Sequence, residues 1–442
     1  MSASRSRHPA RRERPLVVHL TTTDMSLDWL LGPQLQAFTA AGYEVVGMSA
    51  PGPHVPVLNA HGIRHIAVPA LSRAPGIGGD IRAFRQLLRL LRAERPDVLH
   101  THNPKPGVLG RIAGRLTGVP VVVNTQHGLY AQPGDRRRRR LPVYVVERLA
   151  AAFSDAELVQ NVEDARTLVQ TLRVPRRKVT VLGNGIDLAH FRGDRAARSR
   201  VRAEWGVGDD EIVAGVVGRL VNEKGLVELF TAAQQLHAGG APVRVVVVGP
   251  DEPDKPDGAS AAMRASAAHD GVVLVGRRDD MPECYSAMDL FVTASHREGF
   301  PRAAMEAAAS GLAVVATDIR GCRQVVDHDV TGLLVPVRDP ASLAAAVAAL
   351  ATDPARRARM GAAGADKARS DFDQQRVIDI TLASYARLLG ARSRRILLDS
   401  GLVGCASASG SALDARLLGI WRRLLPLAWR LLGTARRILR RN

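Results

Sequence analysis

The sequence predicts an α/β protein made of two doubly wound parallel-sheet domains facing each other across a cleft, followed by a basic amphipathic tail. Three observations support this. From Leu16 onward, short β-branched apolar runs alternate with helical stretches, the pattern of a parallel sheet covered on both faces. The alternation lapses at VTVLGNGIDLAHFRGDR and begins afresh at EIVAGVVG, so two such sheets are expected. With 442 residues the chain also exceeds one ordinary core. Each half is therefore Rossmann-like, and ligands are expected beyond the carboxyl ends of the strands.

The elements follow in order. PLVVHLTT is a strand, LLGPQLQAFTAAG a helix, YEVVGMSA and IRHIAVPA strands, IRAFRQLLRLLRAE a helix and PDVLHTH a strand. A helix VLGRIAGRLTG, a strand VPVVVNTQHG, a helix VYVVERLAAAFS and a strand DAELVQN complete the first domain, residues 16–190, behind a disordered basic lead of residues 1–15. The second domain, residues 191–373, contains EIVAGVVG, the helix LVELFTAAQQLHAGG, VRVVVVG, GVVLVG, FVTAS, LAVVATD and GLLVP. Between FVTAS and LAVVATD, Pro301 suits a first helical position and Gly311 a left-handed stop, which predicts a helix over 301–310. A crossover helix over 374–391 is expected to return to the first domain, and residues 392–442 form the tail.

Composition narrows the function classes. No apolar run approaches the roughly 18 to 20 residues of a membrane span. The apolar stretch after the arginine-rich start is too short for a signal-peptide core, so a cytoplasmic protein is expected. Cys284, Cys322 and Cys405 have no paired spacing, which suggests neither a disulfide framework nor a zinc site. The net charge of +18 is mostly arginine, as codon bias alone would give. Its distribution is uneven: about +13 over residues 1–195, about −4 over 196–391 and about +9 beyond. Segregated charge points to a polyanionic partner. The basic stretches lack interleaved aromatics, so an anionic membrane surface is favoured over nucleic acid.

The chemistry-bearing residues sit at strand ends. In EIVAGVVGRLVNEKG, Arg219 and Lys224 precede a helix starting near Gly225, and two cations at a helix N-terminus suit a diphosphate. The P-loop spacing is missing, which argues against an ATPase cradle. In SHREGFPRAAMEAAASG, Glu298 lies in a loop and Glu306 on the second turn of an alanine-rich helix expected to be buried. A carboxylate at 306 matches a ribose diol, Glu298 would hold sugar hydroxyls farther along, and the amides of Gly299 and Phe300 add donors at the helix start. Alone, each piece also reads as ordinary surface chemistry; the weight lies in their company.

Taken together, E-x7-E in REGFPRAAME, GRLVNEKG upstream and NGID between the domains resemble retaining glycosyltransferases of the GT-B fold, family 4, of the type that serves bacterial surface-polysaccharide and lipid-linked saccharide assembly. The resemblance spans about residues 16–391. It implies that Arg219 and Lys224 bind the donor diphosphate, that Glu306 binds ribose and that Glu298 faces the donor sugar, a UDP- or GDP-linked one. It also implies retention at the anomeric carbon; with fixed cations at the leaving diphosphate no metal is then required, and no further cofactor is expected.

His127, just beyond VPVVVN, matches a family histidine that contacts the reacting sugar. A structural histidine is the commoner meaning of one among thirteen, but the strand-end position favours a functional one. HTHNPKPG places His100, His102 and Lys105 at the end of the neighbouring strand as acceptor-side residues. His100 and His102 share a strand face, but no carboxylate or cysteine partner for a metal stands out. Asp279 and Asp280 precede MPECYSAMD and are expected to cap that helix.

In the tail, Arg416, Arg423, Arg430 and Arg437 recur every seven residues, with leucines, Trp421 and Trp429 opposite and a kink at Pro426. With the arginine-rich loop Arg136–Arg140 this predicts peripheral attachment to the inner leaflet, where a lipid-linked or saccharide acceptor would be met; the other reading is a helix docked on the protein. Two other functions are compatible with the pattern: a nucleotide-sugar epimerase on the same scaffold, and, less favoured, a basic nucleic-acid-binding protein.

Overall fold

The computed structural model describes residues 12–399, apart from 73–75, 103, 192–194, 253–254 and 256. The expected tail from residue 400 on, and the lead up to residue 11, lie outside the described residues. The chain divides into two compact units. The first draws its described residues from 12–182 and from Ile378 onward; the second is Gly183–Val377.

The first unit contains, in chain order, β1 (Leu16–Thr23), α1 (Gly32–Ala40), β2 (Glu44–Ala50), α2 (Val55–Ala60), β3 (Arg64–Ala67), α3 (Ile77–Glu94), β4 (Val98–His102), α4 (Pro104–Leu116), β5 (Val121–Gln126), α5 (Arg137–Ala151), β6 (Ala156–Val159), α6 (Val162–Arg166) and β7 (Val179–Val181). Its strands are all parallel in the order β3-β2-β1-β4-β5-β6-β7. The order reverses between β1 and β4, the switch point where open sheets of this kind bind ligands. β7 falls in a stretch that the sequence pattern treats only as a connector; its three residues are too few to show a period.

The second unit contains α7 (Arg195–Trp205), β8 (Ile212–Val217), α8 (Leu226–Ala238), β9 (Val243–Val248), α9 (Ala261–His269), β10 (Val273–Gly276), α10 (Met281–Ala287), β11 (Leu290–Thr293), α11 (Arg302–Ala309), β12 (Ala313–Thr317), α12 (Cys322–Val325), β13 (Gly332–Val335), α13 (Pro340–Thr352) and α14 (Pro354–Asp371). Its sheet runs β10-β9-β8-β11-β12-β13, again parallel, with the reversal between β8 and β11. Successive strand residues enter opposite cores: Ala214, Leu290 and Ala313 pack on one face, Val213, Phe291 and Val314 on the other. α15 (Gln374–Asp399) begins in the second unit and from Ile378 belongs to the first.

Helix α3 shows the local logic. Ala83, Leu87 and Leu91 are buried at a spacing of four, while Arg82, Arg85, Arg89 and Arg92 are exposed. Helix α4 lies so close to its sheet that a Cβ on Gly110 would sit 2.6 Å from both Leu20 and Thr101 side-chain carbons. Only glycine permits that approach.

α4 also carries Arg111, which is fully buried. Its guanidinium donates to Gly107 O (2.6 Å), Glu157 Oε1 (2.8 Å) and Glu147 Oε1 (2.6 Å), so one cation faces two carboxylates. Asn124 donates to Glu157 at 2.7 Å, and Gln126 to Glu147 at 2.5 Å. Burial raises the pKa of Glu147 despite the adjacent Arg111 charge. The network ties α4 and α5 to β5 and β6. Arg111→Met leaves two buried carboxylates without their cation and is expected to destabilise the first unit by about 3 to 5 kcal/mol. Urea unfolding followed by fluorescence measures the loss, and adding Glu157→Gln should recover part of it.

Candidate functional site

Of the residues singled out in the second unit, Lys224 and Glu298 meet beyond the ends of β8 and β11, which are hydrogen-bonded neighbours, while Arg219 and Glu306 have other partners. Arg219 follows β8 by two residues. Its Nη1 lies 3.3 Å from Glu252 Oε1, and Glu252 also pairs with Lys255 at 2.5 Å. The hydrogen bond from Lys255, followed by that from Arg219, lowers the Glu252 pKa. Lys224 closes a single 3-10 turn, Asn222–Lys224, before the left-handed Gly225 (φ 73°) and α8. A Cβ on Gly225 would fall 2.1 Å from the Ala294 carbonyl, so the turn is pressed against the chain leaving β11.

That contact brings two distant motifs together. Lys224 Nζ donates to Glu298 Oε1 at 2.5 Å across 74 residues of sequence, and Ser295 Oγ donates to the same oxygen at 2.9 Å. Ser295 is buried, and its carbonyl accepts a 2.6 Å hydrogen bond from Thr317 at the end of β12. The expected helix between Glu298 and Gly311 is α11, Arg302–Ala309; Pro301 stands at its N-cap and Gly311 adopts φ 82°. Phe300, before that cap, meets Phe372 edge-on with ring centroids 5.8 Å apart.

Glu306 is buried, 9% exposed, as the alanine-rich sequence of its helix suggests. Tyr285 OH donates to its Oε2 and Arg302 Nε to its Oε1, both at 2.9 Å. Burial raises the Glu306 pKa, opposed by the Arg302 charge and the hydrogen bonds from Arg302 and Tyr285. Each carboxylate oxygen can accept two hydrogen bonds, and these partners account for one on each. Sequence reasoning misses Tyr285 and Arg302 because their part is visible only once α10 packs on α11.

In the first unit the histidines turn inward. His100 and His102, on β4, are each 1% exposed. His100 Nε2 bonds to Thr125 Oγ1 at 2.6 Å and its Nδ1 to Tyr385 OH at 2.5 Å. His102 Nε2 meets His19 Nδ1, and its Nδ1 meets His127 Nε2, both at 3.1 Å. With both ring nitrogens of each engaged, a direct acceptor contact by His100 or His102 does not fit. The strand that ends in HTH buries its histidines under the sheet's own cover. Lys105 is likewise held, by buried Asp80 at 2.7 Å. His19 and Tyr385 are missed by sequence reasoning; His19 is set opposite His100 by the β1–β4 register, a fact of pairing and not of spacing.

Two smaller expectations are corrected. Asp280 occupies the N-cap position of α10 without making a side-chain cap; Arg278 Nε takes it at 2.7 Å instead, and Arg277 pairs with Asp279 at 3.0 Å. An adjacent guanidinium outcompetes a neutral backbone amide. The arginine run is not a loop: Arg136 stands at the N-cap position of α5, and Arg137–Arg140 form its first turn.

Comparison with known proteins identifies the family. The model described as "Glycosyl transferases group 1" matches residues 197–367, and "Glycosyltransferase Family 4" matches residues 34–190. The chain is 31% identical to the UDP-Gal:alpha-D-GlcNAc-diphosphoundecaprenol alpha-1,3-galactosyltransferase of Escherichia coli, over 63% of this chain and 72% of that protein. It belongs to glycosyltransferase family 4.

The capsular polysaccharide biosynthesis glycosyltransferase CapM of Staphylococcus aureus is 26% identical over 81% of this chain and 93% of its own. Among solved structures, Anabaena Alr3699/HepE in complex with UDP superposes with a TM-score of 0.71 at 19% identity, covering 84% of this chain and all of that one, a likeness of fold. The two Rossmann-like units are thus those of a GT-B glycosyltransferase. Membership decides against the epimerase and nucleic-acid alternatives.

The raised Glu306 pKa has a thermodynamic sign. A buried carboxyl favoured in its neutral form contributes its stability in full below the ordinary carboxylate pKa and loses it as pH rises through the raised folded value. The melting temperature of the native glycosyltransferase is therefore expected to fall relative to that of Glu306→Gln as pH rises above the ordinary carboxylate range. A difference independent of pH in calorimetry would show that Glu306 titrates normally.

Proposed function

We propose that this glycosyltransferase moves a sugar from a nucleoside-diphosphate donor to a saccharide carried on a lipid diphosphate, with retention of anomeric configuration and without a metal. The observation that carries the reading is the Lys224–Glu298 contact, which joins the proposed diphosphate and sugar ends of a donor site at adjacent strand termini. Arg219 and Lys224 meet the diphosphate, and the Glu306 carboxylate takes the ribose hydroxyls. Glu298, oriented by Ser295 and Lys224, faces the sugar with the amides of Gly299 and Phe300, and His127 contacts the reacting sugar. The bond from the anomeric carbon to the diphosphate oxygen breaks as the acceptor oxygen bonds to the same face of that carbon. The acceptor hydroxyl proton passes to the departing phosphate oxygen, whose growing charge is met by the two fixed cations.

Uracil as the base, in a UDP-linked donor, is supported by the complex of HepE with UDP and by the UDP-Gal donor in the name of the Escherichia coli relative. That relative's diphosphoundecaprenol acceptor supports the lipid-linked class. Attachment to an anionic inner leaflet is supported by the sequence of the tail and by α5, where exposed Leu141 and Val145 follow exposed Arg137 and Arg138. Among the described residues no helix is long and apolar enough to cross a membrane.

A mass-spectrometric screen of nucleotide sugars with lipid-diphosphate saccharide acceptors tests the reaction, and proton couplings of the product test retention. With the donor known, Arg219→Ala is expected to lower kcat by about 100- to 1,000-fold. Glu306→Gln should raise the donor KM about tenfold with a smaller change in kcat. Unchanged kinetics in both would remove the site assignment. Flotation with anionic vesicles should recover the full chain and lose the chain lacking residues 395–442; equal recovery would count against the tail as an anchor.

A further inference from the structure

The first unit contains a continuous buried line of hydrogen-bonding groups: Thr125 Oγ1, His100, Tyr385 OH, His19, His102 and His127. Successive distances are 2.6, 2.5, 3.5, 3.1 and 3.1 Å, and the line ends at His127 Nδ1, a buried atom without a hydrogen-bond partner. The sheet explains the assembly. His19 pairs with His100 across β1 and β4, His102 pairs with Thr125 across β4 and β5, and His100 and His102 share a face two residues apart. Tyr385 comes from α15, 366 residues from His19.

Burial lowers every imidazole pKa in the line, His19 to about 3 and His127 to about 4, so at neutral pH the rings are uncharged. A neutral imidazole has one N–H and one bare nitrogen. A hydrogen bond between two such rings needs one of each, and the buried Tyr385 hydroxyl, which would leave its own proton unpaired if it accepted from both His100 and His19, donates to one and accepts from the other, so the choice made by one ring dictates the next. In one arrangement Thr125 donates to His100, His100 to Tyr385, Tyr385 to His19, His19 to His102 and His102 to His127, which then presents Nδ1–H. In the other, every bond is reversed and His127 presents a bare Nδ1. In both, all four rings carry the proton on the same nitrogen.

We propose that His19, His100, His102 and Tyr385 are positioning residues that act as one unit to fix the ring and tautomer of His127, so that its unpartnered Nδ1 meets the reacting sugar as either a donor or an acceptor of a hydrogen bond. The catalytic half of this rests on the reading of His127 above; the shared tautomer does not. A metal is the weaker use of the same nitrogens. Those of His19, His100 and His102 lie within 4.8 Å of one another, but His100 already spends both nitrogens on neutral hydroxyls and the cluster includes no carboxylate to offset a buried dication.

The test uses the full chain labelled with 15N-histidine. Long-range proton–nitrogen spectra should show His19, His100, His102 and His127 all as Nδ1–H or all as Nε2–H. Tyr385→Phe, which removes one oxygen, and His102→Asn, which keeps a polar group near the Nδ1 position but cuts the link to His19, should both shift the tautomer balance of His127. In Tyr385→Phe, kcat should fall about tenfold, the scale of one lost buried hydrogen bond, with donor KM little changed. His102→Leu should lose more activity than His102→Asn, a distinction that packing alone would not make.

Mixed tautomers in the native chain, or a His127 spectrum untouched by both variants, would overturn the proposal whatever the activity. Stoichiometric zinc uptake abolished by His19→Asn would do the same. Full activity in His127→Ala would instead sink the reading of His127 as a sugar contact and leave the spectra to judge the linkage of the rings.

Discussion

The constraint on which the donor-side site depends is that a parallel strand covered on both faces can offer polar groups to a ligand only beyond its end. Each sheet here buries alternate residues in two separate cores, so the interior of a strand such as β8 or β11 is committed to packing. What remains is the stretch just past each carboxyl end. Because β8 and β11 are neighbours at the point where strand order reverses, their exit loops diverge and still lie side by side. Lys224 and Glu298, far apart in the chain, become hydrogen-bond partners through that topology. The left-handed Gly225 allows it by letting one loop touch the backbone of the other.

Features written into local sequence were legible, and those that arise from pairing across the fold were not. Apolar runs mark every strand but the three-residue β7, and Pro301 with Gly311 brackets α11 to within a residue at each end. The burial of Glu306 follows from its alanine neighbours, while its partners Tyr285 and Arg302 depend on helix packing that no spacing reveals. His100 and His102 look from sequence like a pair at an open strand end. The register with β1 and the return of α15 enclose them, and Asp80 takes up Lys105.

Net charge illustrates the same limit. Arginine is abundant in the sequence, yet several arginines serve the interior. Arg111 is encircled by carboxylates, and Arg202, 1% exposed, pairs with Asp289 at 2.5 Å while donating to the Ala287 carbonyl. A surface argument from composition must first set such residues aside. The run at the start of α5 survives that subtraction, with Arg136, Arg137 and Arg138 exposed beside Leu141.

Helix α15 completes a core whose other members were laid down long before it. Tyr385 is fully buried against Phe38 and Tyr43, so the polypeptide up to Leu182 lacks a wall of its own interior. During synthesis that gap would stay open until the ribosome had passed through the entire second unit, roughly ten to forty seconds at ordinary elongation rates of about 5 to 20 residues per second. A fragment cut at Leu182 would meet the same deficit permanently, exposing apolar surface and imidazoles that the finished molecule keeps dry.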